Sequence, residues 1–292
     1  MTTVPLFLSQ PGRGIVLMLG GLVCFTLMDA VAKFLTGQYP PLQVVWARYA
    51  GQMLLLTLVF APRLATVLRT RALPLQVGRS ILQFGATGLF FLALPHIGLA
   101  EATAIMDVNP VLITLGAALF LGERLGPRRA IGIAAALTGA MIVIRPGSGV
   151  FSVAALLPLG AACCYAGFAL LTRAAGGRDG AATSLFYAAM VGTAVTTAML
   201  PALWQPVAAA HVAAFAGLGL LGAAGQFFMI RAFTVAEAGA IAPFGYLGLI
   251  LAALWGWLFF DAVPDRWTVL GALVIAGAGL YVWRREARAA RG

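Results

Sequence analysis

Apolar runs follow one another along the whole chain, each close to the length of a membrane span, cut apart by short pieces bearing arginine, proline or glycine. A helix needs roughly 20 apolar residues to cross the hydrocarbon core. Windows of that size predict spans near 14–35, 42–61, 75–96, 102–122, 129–144, 153–171, 181–200, 208–230, 238–260 and 267–283. The breaks fall at Tyr39-Pro40-Pro41, Arg145-Pro146-Gly147, Gly176-Gly177-Arg178-Asp179-Gly180, and Pro201 with Pro206. Polar residues within the runs keep helical spacing: Thr103, Asp107, Pro110 and Thr114 make one stripe on an otherwise apolar helix. Such a stripe is expected to turn away from lipid. The pattern predicts an all-α membrane protein of ten spans.

Composition agrees. Of 292 residues, 62% are hydrophobic and 10% charged, against about 25% charged in a soluble domain. The net charge of +10 does not point to nucleic acid, because the arginines sit in short pieces between spans, where they act as topology signals. With the N-terminus inside, the inner segments hold Arg13; Arg63, Arg69, Arg71 and Arg79; Arg124, Arg128 and Arg129; Arg173 and Arg178; Arg231; and Arg284, Arg285, Arg288 and Arg291. The outer segments hold only Arg145 and Arg266. Both ends are therefore expected on the cytoplasmic side of the membrane. The segment after Arg13 stays apolar to about Leu35, past the ~15-residue limit of a signal h-region, so no cleaved leader is expected. Cys24, Cys163 and Cys164 all fall in spans; neither a disulfide nor a metal site is expected, and no cofactor.

The chain also repeats itself. Ala100-Glu101-Ala102-Thr103-Ala104-Ile105 recurs as Ala236-Glu237-Ala238-Gly239-Ala240-Ile241, each followed by a proline-interrupted apolar run, an acid (Glu123, Asp261) and a glycine-spaced run. The loop after the second span has four arginines and its counterpart after the seventh has none. Similar segments with opposite charge decoration face opposite ways. The expected architecture is two inverted five-helix repeats, 1–147 and 148–292, around a central cavity.

These residues resemble the EamA-type carriers of the drug/metabolite transporter superfamily over nearly the whole length. The likeness rests on Asp29-Ala30-Val31-Ala32-Lys33-Phe34, on Leu99 to Ile105 through Pro110 to Phe120-Leu121-Gly122-Glu123-Arg124, on Ala242-Pro243-Phe244-Gly245-Tyr246, and on Gly279-Leu280-Tyr281. It implies a ten-helix inner-membrane carrier of small metabolites, often an exporter. One departure is Asp261, where the family usually has Glu; if that acid caps a helix end, the shorter side chain matters little.

Ionisable residues inside spans are costly and so are functional candidates. Asp29, Lys33 and Arg48 form one predicted intramembrane charge cluster, read either as a substrate contact or as a static brace, with Lys33 snorkelling. Asp107 is read as a pathway residue, with Thr103, Asn109 and Pro110 beside it. Pro110 removes a backbone donor, and Asn109 is placed to satisfy a freed carbonyl. Pro243 interrupts the ninth span similarly early, and paired interruptions point to a midplane site. Gln83 and Phe90 on the third span, Gln226 on the eighth, and Tyr246 and Trp257 on the ninth are the expected aromatic and amide lining. Gly132 with Ala136 and Ala140, and Gly271 with Ile275 and Gly279, are read as packing faces. Glu101 and Glu237 are read as helix-start acids, and Tyr281 and Trp283 as interfacial anchors.

The expected function is export of small metabolites by alternating access. The substrate guess is apolar or aromatic amino acids, resting on the aromatic lining and the family likeness. The alternatives are uptake of a larger ring-bearing metabolite (nucleoside-like or a vitamin), or a non-transporting scaffold or sensor. An enzyme is not expected: the histidines are His96 and His211, and no paired His/Glu metal motif or nucleotide-phosphate loop occurs. The lipid bilayer and a small-molecule substrate are the expected partners, with a proton as a candidate coupling ion through Asp29 or Asp107. Small-residue faces fit a monomer and a homodimer equally.

Overall fold

The computed structural model describes residues 10–120, 127–145, 152–175, 179–236 and 242–289. Regular structure there is entirely helical. The helices are α1 (Gln10–Thr36), α2 (Pro41–Phe60), a short α3 (Leu64–Val67), α4 (Leu73–Ala93), α5 (Leu99–Met106), α6 (Asn109–Phe120), α7 (Pro127–Ile144), α8 (Leu156–Ala175), α9 (Ala181–Met199), α10 (Val212–Val235), α11 (Leu247–Phe260) and α12 (Arg266–Ala289). Among the described residues, six segments are long and apolar enough to cross a membrane, and three apolar helices are shorter. The third predicted run is the 21-residue α4, whose Gln76, Arg79 and Ser80 are buried, so its polar face turns inward.

Prolines set several helix starts. Pro41 and Pro74 occupy the first positions of α2 and α4, where a missing N–H costs nothing. The fourth predicted span is not continuous: it breaks between α5 and α6 at Asp107 and Val108. Pro110 cannot donate to the Met106 carbonyl four residues back. The Asn109 side chain donates to that carbonyl instead, Nδ2 to O 3.0 Å. The ninth span is also interrupted, with a 3-10 turn Ala242–Tyr246 preceding α11.

Asp261 ends α11 in the left-handed conformation, φ 51° and ψ 27°. The N–H of Asp261 bonds to the Trp257 carbonyl (3.1 Å), the 5→1 bond of an αL stop, and that of Ala262 reaches the Gly256 carbonyl (3.0 Å). Aspartate tolerates this backbone better than longer acids do, which gives the departure from Glu a local reason. Asp265 caps α12 by accepting from Thr268 N (2.8 Å) and pairs with Arg145 after α7 (2.7 Å). Glu123 and Glu237 lie outside the described residues.

Side-chain ties identify the two ends of the bundle. At one end Lys33 Nζ donates to the Leu94 and Ile97 carbonyls, both at 2.7 Å. The Tyr39 hydroxyl meets His211 Nδ1 (2.9 Å) and accepts from Ala208 N (3.1 Å). The Gln43 amide both donates to Gln205 O (2.8 Å) and accepts from Gln205 N (3.0 Å). At the opposite end Asp179 accepts from Thr70 Oγ1 (2.5 Å), Arg71 N (2.9 Å) and Gln76 Nε2 (2.8 Å), while Arg79 donates to Ser184 (2.9 Å). The first end carries the C-termini of α1 and α4 and the N-termini of α2 and α10; α1 and α4 thus run towards it, α2 and α10 away.

Packing follows a regular scheme. α1 lies along α10 and α8 along α4; α2 packs on α10 and α9; α4 also packs on α9. α7 runs along α12, α1 touches α11, α6 touches α8, and α5 touches α11. The close crossings use glycine. A Cβ on Gly219 would lie 2.5 Å from Gly51 Cα, so α10 and α2 meet backbone to backbone. Gly139 and Gly271 play the same part between α7 and α12, beside the fully buried Ala136 and Ile275.

Candidate functional site

A cavity of about 750 Å³ lies between these helices. Its wall on α1 runs from Met18 through Leu22 and Phe25 to Asp29, one helical face. Arg48 enters from α2, and Gln83, Thr87 and Phe90 from α4. The α5–α6 break contributes Met106, Asp107, Asn109 and Pro110, and α6 adds Thr114. Tyr165 comes from α8, Gln226, Met229 and Phe233 from α10, Gly245 and Tyr246 from the 3-10 turn, and Gly279 and Trp283 from α12. Lys33, Tyr39, Gln43, His211 and Arg145 are not part of the wall. The ties they make lie at the first end, while the wall reaches the last turns of α10 and α12 at the other.

Arg48 is held in place from below. Its guanidinium lies 4.6 Å from the centroid of the Tyr49 ring. Tyr49, itself 1% exposed, donates to Thr87 Oγ1 (3.0 Å) and Gln83 O (3.2 Å). The Tyr49 ring fits only because residue 192 is glycine, where a Cβ would stand 2.5 Å from it. Arg48 is 5% exposed, and its Nε and Nη1 have no hydrogen-bond partner. Asp29 is close enough to act on it electrostatically, but no ion pair joins the two. Asp107 Oδ2 is likewise buried without a partner. The Tyr246 hydroxyl lies within electrostatic reach of Asp107 and sits over Gly279, where any Cβ would overlap it.

The structure therefore gathers Asp29, Arg48, Gln83, Phe90, Asp107, Asn109, Pro110, Gln226 and Tyr246 on one wall system. Three predicted residues lie elsewhere, each for a physical reason. Lys33, one turn beyond Asp29, caps the C-terminal carbonyls of the α4 region and lies 5.6 Å from the Phe260 ring centroid. Thr103 bonds back to the Leu99 carbonyl (2.8 Å) on α5; the break at Asp107 stops the polar stripe from continuing through it. Trp257 is 57% exposed and Ile250 65% exposed. The face counted from Tyr246 at 3.6 residues per turn fails because Tyr246 belongs to a 3-10 turn with a different period. The inward aromatic of α11 is instead Trp255, whose Nε1 donates to Thr26 Oγ1 (3.0 Å). Pro243 falls in the 3-10 turn, and its side chain lies outside the described residues.

Some wall residues escaped the sequence reading. Trp283, read as an interfacial anchor, lines the cavity with its indole nitrogen buried and unpartnered. Gly279, read as a packing residue, makes the space that Tyr246 occupies. Tyr165 and the methionines 18, 28, 106 and 229 carried no positional signal, since single aromatics and methionines abound in any span.

Residues 12–145 match the model of the EamA-like transporter family. The chain is 33% identical over 290 residues to a riboflavin transporter of Rhizobium johnstonii, covering 97% of this chain and 95% of that one. It is 29% identical to the pseudopaline exporter CntI of Pseudomonas aeruginosa (90% and 93% covered). It is 24% identical to an S-adenosylmethionine uptake transporter of Rickettsia prowazekii (92% of each chain). A solved crystal structure aligns with TM-score 0.66 over 92% of this chain and 96% of that chain at 19% identity, a likeness of fold alone.

Proposed function

The chain belongs to the EamA-like transporter family, and on that premise we propose that it is a secondary carrier moving a ring-bearing metabolite across a bacterial inner membrane by alternating access. The observation that carries this reading is the 750 Å³ cavity, walled by aromatics and methionines with a few fixed polar groups. Its volume falls in the roughly 300–1,000 Å³ range of sites for drug-sized ligands, more room than one amino acid fills. The named relatives include carriers of riboflavin and S-adenosylmethionine. The reading thus moves from the aromatic amino acids expected of the sequence to larger ring-bearing compounds. Those relatives include both uptake transporters and an exporter, so direction is left to the transport assay.

The inverted-repeat reading has support in the packing scheme. Exchanging each predicted span for the one five places away turns α1·α10 into α8·α4, α2·α10 into α9·α4, and α1·α11 into α8·α6, all of which are observed pairs. The self-paired α7·α12 and α2·α9 stay as they are. Counterparts run oppositely: α2 leaves the end tied by Gln43, whereas α9 starts at the end tied by Asp179 and runs back towards it. Repeats at 1–147 and 148–292, related by inversion, account for all of this. The arginine-rich end near Asp179 is then cytoplasmic.

Proteoliposomes holding the purified chain test the proposal. Labelled riboflavin, S-adenosylmethionine and tryptophan are offered on either side, with and without a pH gradient. Saturable movement of a ring-bearing compound supports a carrier; no movement of any of them sinks it. Asp29 and Asp107 are the carboxylates on the wall, so proton coupling predicts gradient-dependent transport that Asp107→Asn or Asp29→Asn uncouples. Sedimentation in detergent distinguishes monomer from homodimer.

A further inference from the structure

Two groups of opposite charge line the cavity from different helices, and each has buried polar atoms with no hydrogen-bond partner. Arg48 approaches from α2 on a prepared seat: stacked by Tyr49, which the α4 residues Gln83 and Thr87 hold, with Gly192 clearing the space. Two of its nitrogens make no hydrogen bond. Asp107 stands at the α5–α6 break with Oδ2 unpartnered. Among the described residues no ion pair links Asp107 with Arg48 or either with another charged side chain. Unpaired charges inside a membrane are costly, and a fixed guanidinium favours planar acceptors such as carboxylates. A purely structural brace would have closed the two groups on each other or on the backbone, as Lys33 does on the Leu94 and Ile97 carbonyls.

We propose that Arg48 and Asp107 are the two poles of the substrate site and select an amphoteric ring-bearing metabolite: its acidic or carbonyl acceptor group docks on Arg48, its amine or other donor group on Asp107. The body of the ligand lies between them against Phe90 and Tyr246, which line the same cavity. Asp29 lines the same cavity, near enough to Arg48 to act on it electrostatically. The proposal rests on the carrier reading above and deepens it.

The test uses the full chain in detergent and four biphenyl compounds that differ only in their poles: 4′-(aminomethyl)biphenyl-4-carboxylate with both at opposite ends, biphenyl-4-carboxylate with the acid, 4-phenylbenzylamine with the amine, and biphenyl with neither. Equilibrium dialysis is expected to rank the two-pole compound about tenfold tighter than either single-pole compound, with biphenyl weakest. Asp107→Asn should erase the gain from the amine and keep that from the acid; Arg48→Gln should do the reverse. Arg48→Lys and Asp107→Glu, which keep the charges, should retain most of the ranking and show that the fold persists. Equal binding of all four compounds overturns the proposal, and so does an unchanged ranking in both neutral variants. If the wild type carries riboflavin or S-adenosylmethionine in vesicles yet binds no biphenyl compound, the two-pole site is wrong and the carrier reading stands. If it carries nothing, the carrier reading itself fails.

Discussion

Replacing Gly219 by alanine tests whether the α2–α10 crossing depends on bare backbone. The added Cβ would stand 2.5 Å from Gly51 Cα, 2.7 Å from Gly51 C and 3.0 Å from Gln52 N, all backbone atoms that cannot rotate aside. Ordinary contact begins at 3.4 Å, so the helices must separate by roughly 0.9 Å, an overpacking that costs about 1–3 kcal/mol. Gly217, two residues earlier on α10, is the matched control, because a Cβ there meets nothing within 4 Å. Alanine at either site gains up to about 1 kcal/mol of helix propensity over glycine, so the difference between the variants isolates the crossing. Thermal unfolding in detergent micelles, followed by tryptophan fluorescence, should place Gly219→Ala several degrees below Gly217→Ala. Equal midpoints would refute the argument. Transport should fall along with stability, since the same crossing seats Arg48 one turn from Gly51.

Lys33→Met leaves the Leu94 and Ile97 carbonyls without their donor; at about 1–3 kcal/mol for a buried group stripped of its partner, the unfolding midpoint should drop, and an unchanged midpoint would show the contact to be idle. Gly279→Ala pushes the Tyr246 phenol off its place and should raise KM in vesicles with little loss of yield; an unaltered KM would remove Tyr246 from the site. Hydrogen bonds from Gln76, Thr70 and the Arg71 backbone, in that order, hold the Asp179 carboxyl below its usual range. Its stabilising contribution is therefore complete above about pH 3.9 and lost as acid drives the pH down through its lowered pKa. Wild type should lose more stability than Asp179→Asn between pH 6 and pH 3; parallel losses would contradict this.

Much of the helix layout could be read from the apolar runs, because lipid demands length and apolarity of a spanning helix whatever it packs against. The break at Asp107 was also legible, since a proline removes one particular donor and Asn109 sits where a substitute can reach. Helix faces were harder. On α6 the polar stripe marked the cavity, but on α11 counting began in a 3-10 turn and assigned Trp257 to the lining, whereas the helix leaves it exposed. Lys33 could not be separated from Asp29 by spacing, because its destination is a set of carbonyls more than sixty residues away. The Gly51–Gly219 approach and the clearance that Gly279 gives Tyr246 are facts of tertiary distance. A glycine looks the same in sequence whether it admits a neighbouring backbone, a ring or nothing at all.

The amide of Asn109 holds two positions at once: it completes the backbone of the broken helix at Met106, and it belongs to the cavity wall. Its Nδ2 carries two hydrogens, and the Met106 oxygen takes one of them. A visitor is offered the second without unmaking the bend between α5 and α6, so the same side chain that mends the broken helix stays available to cargo.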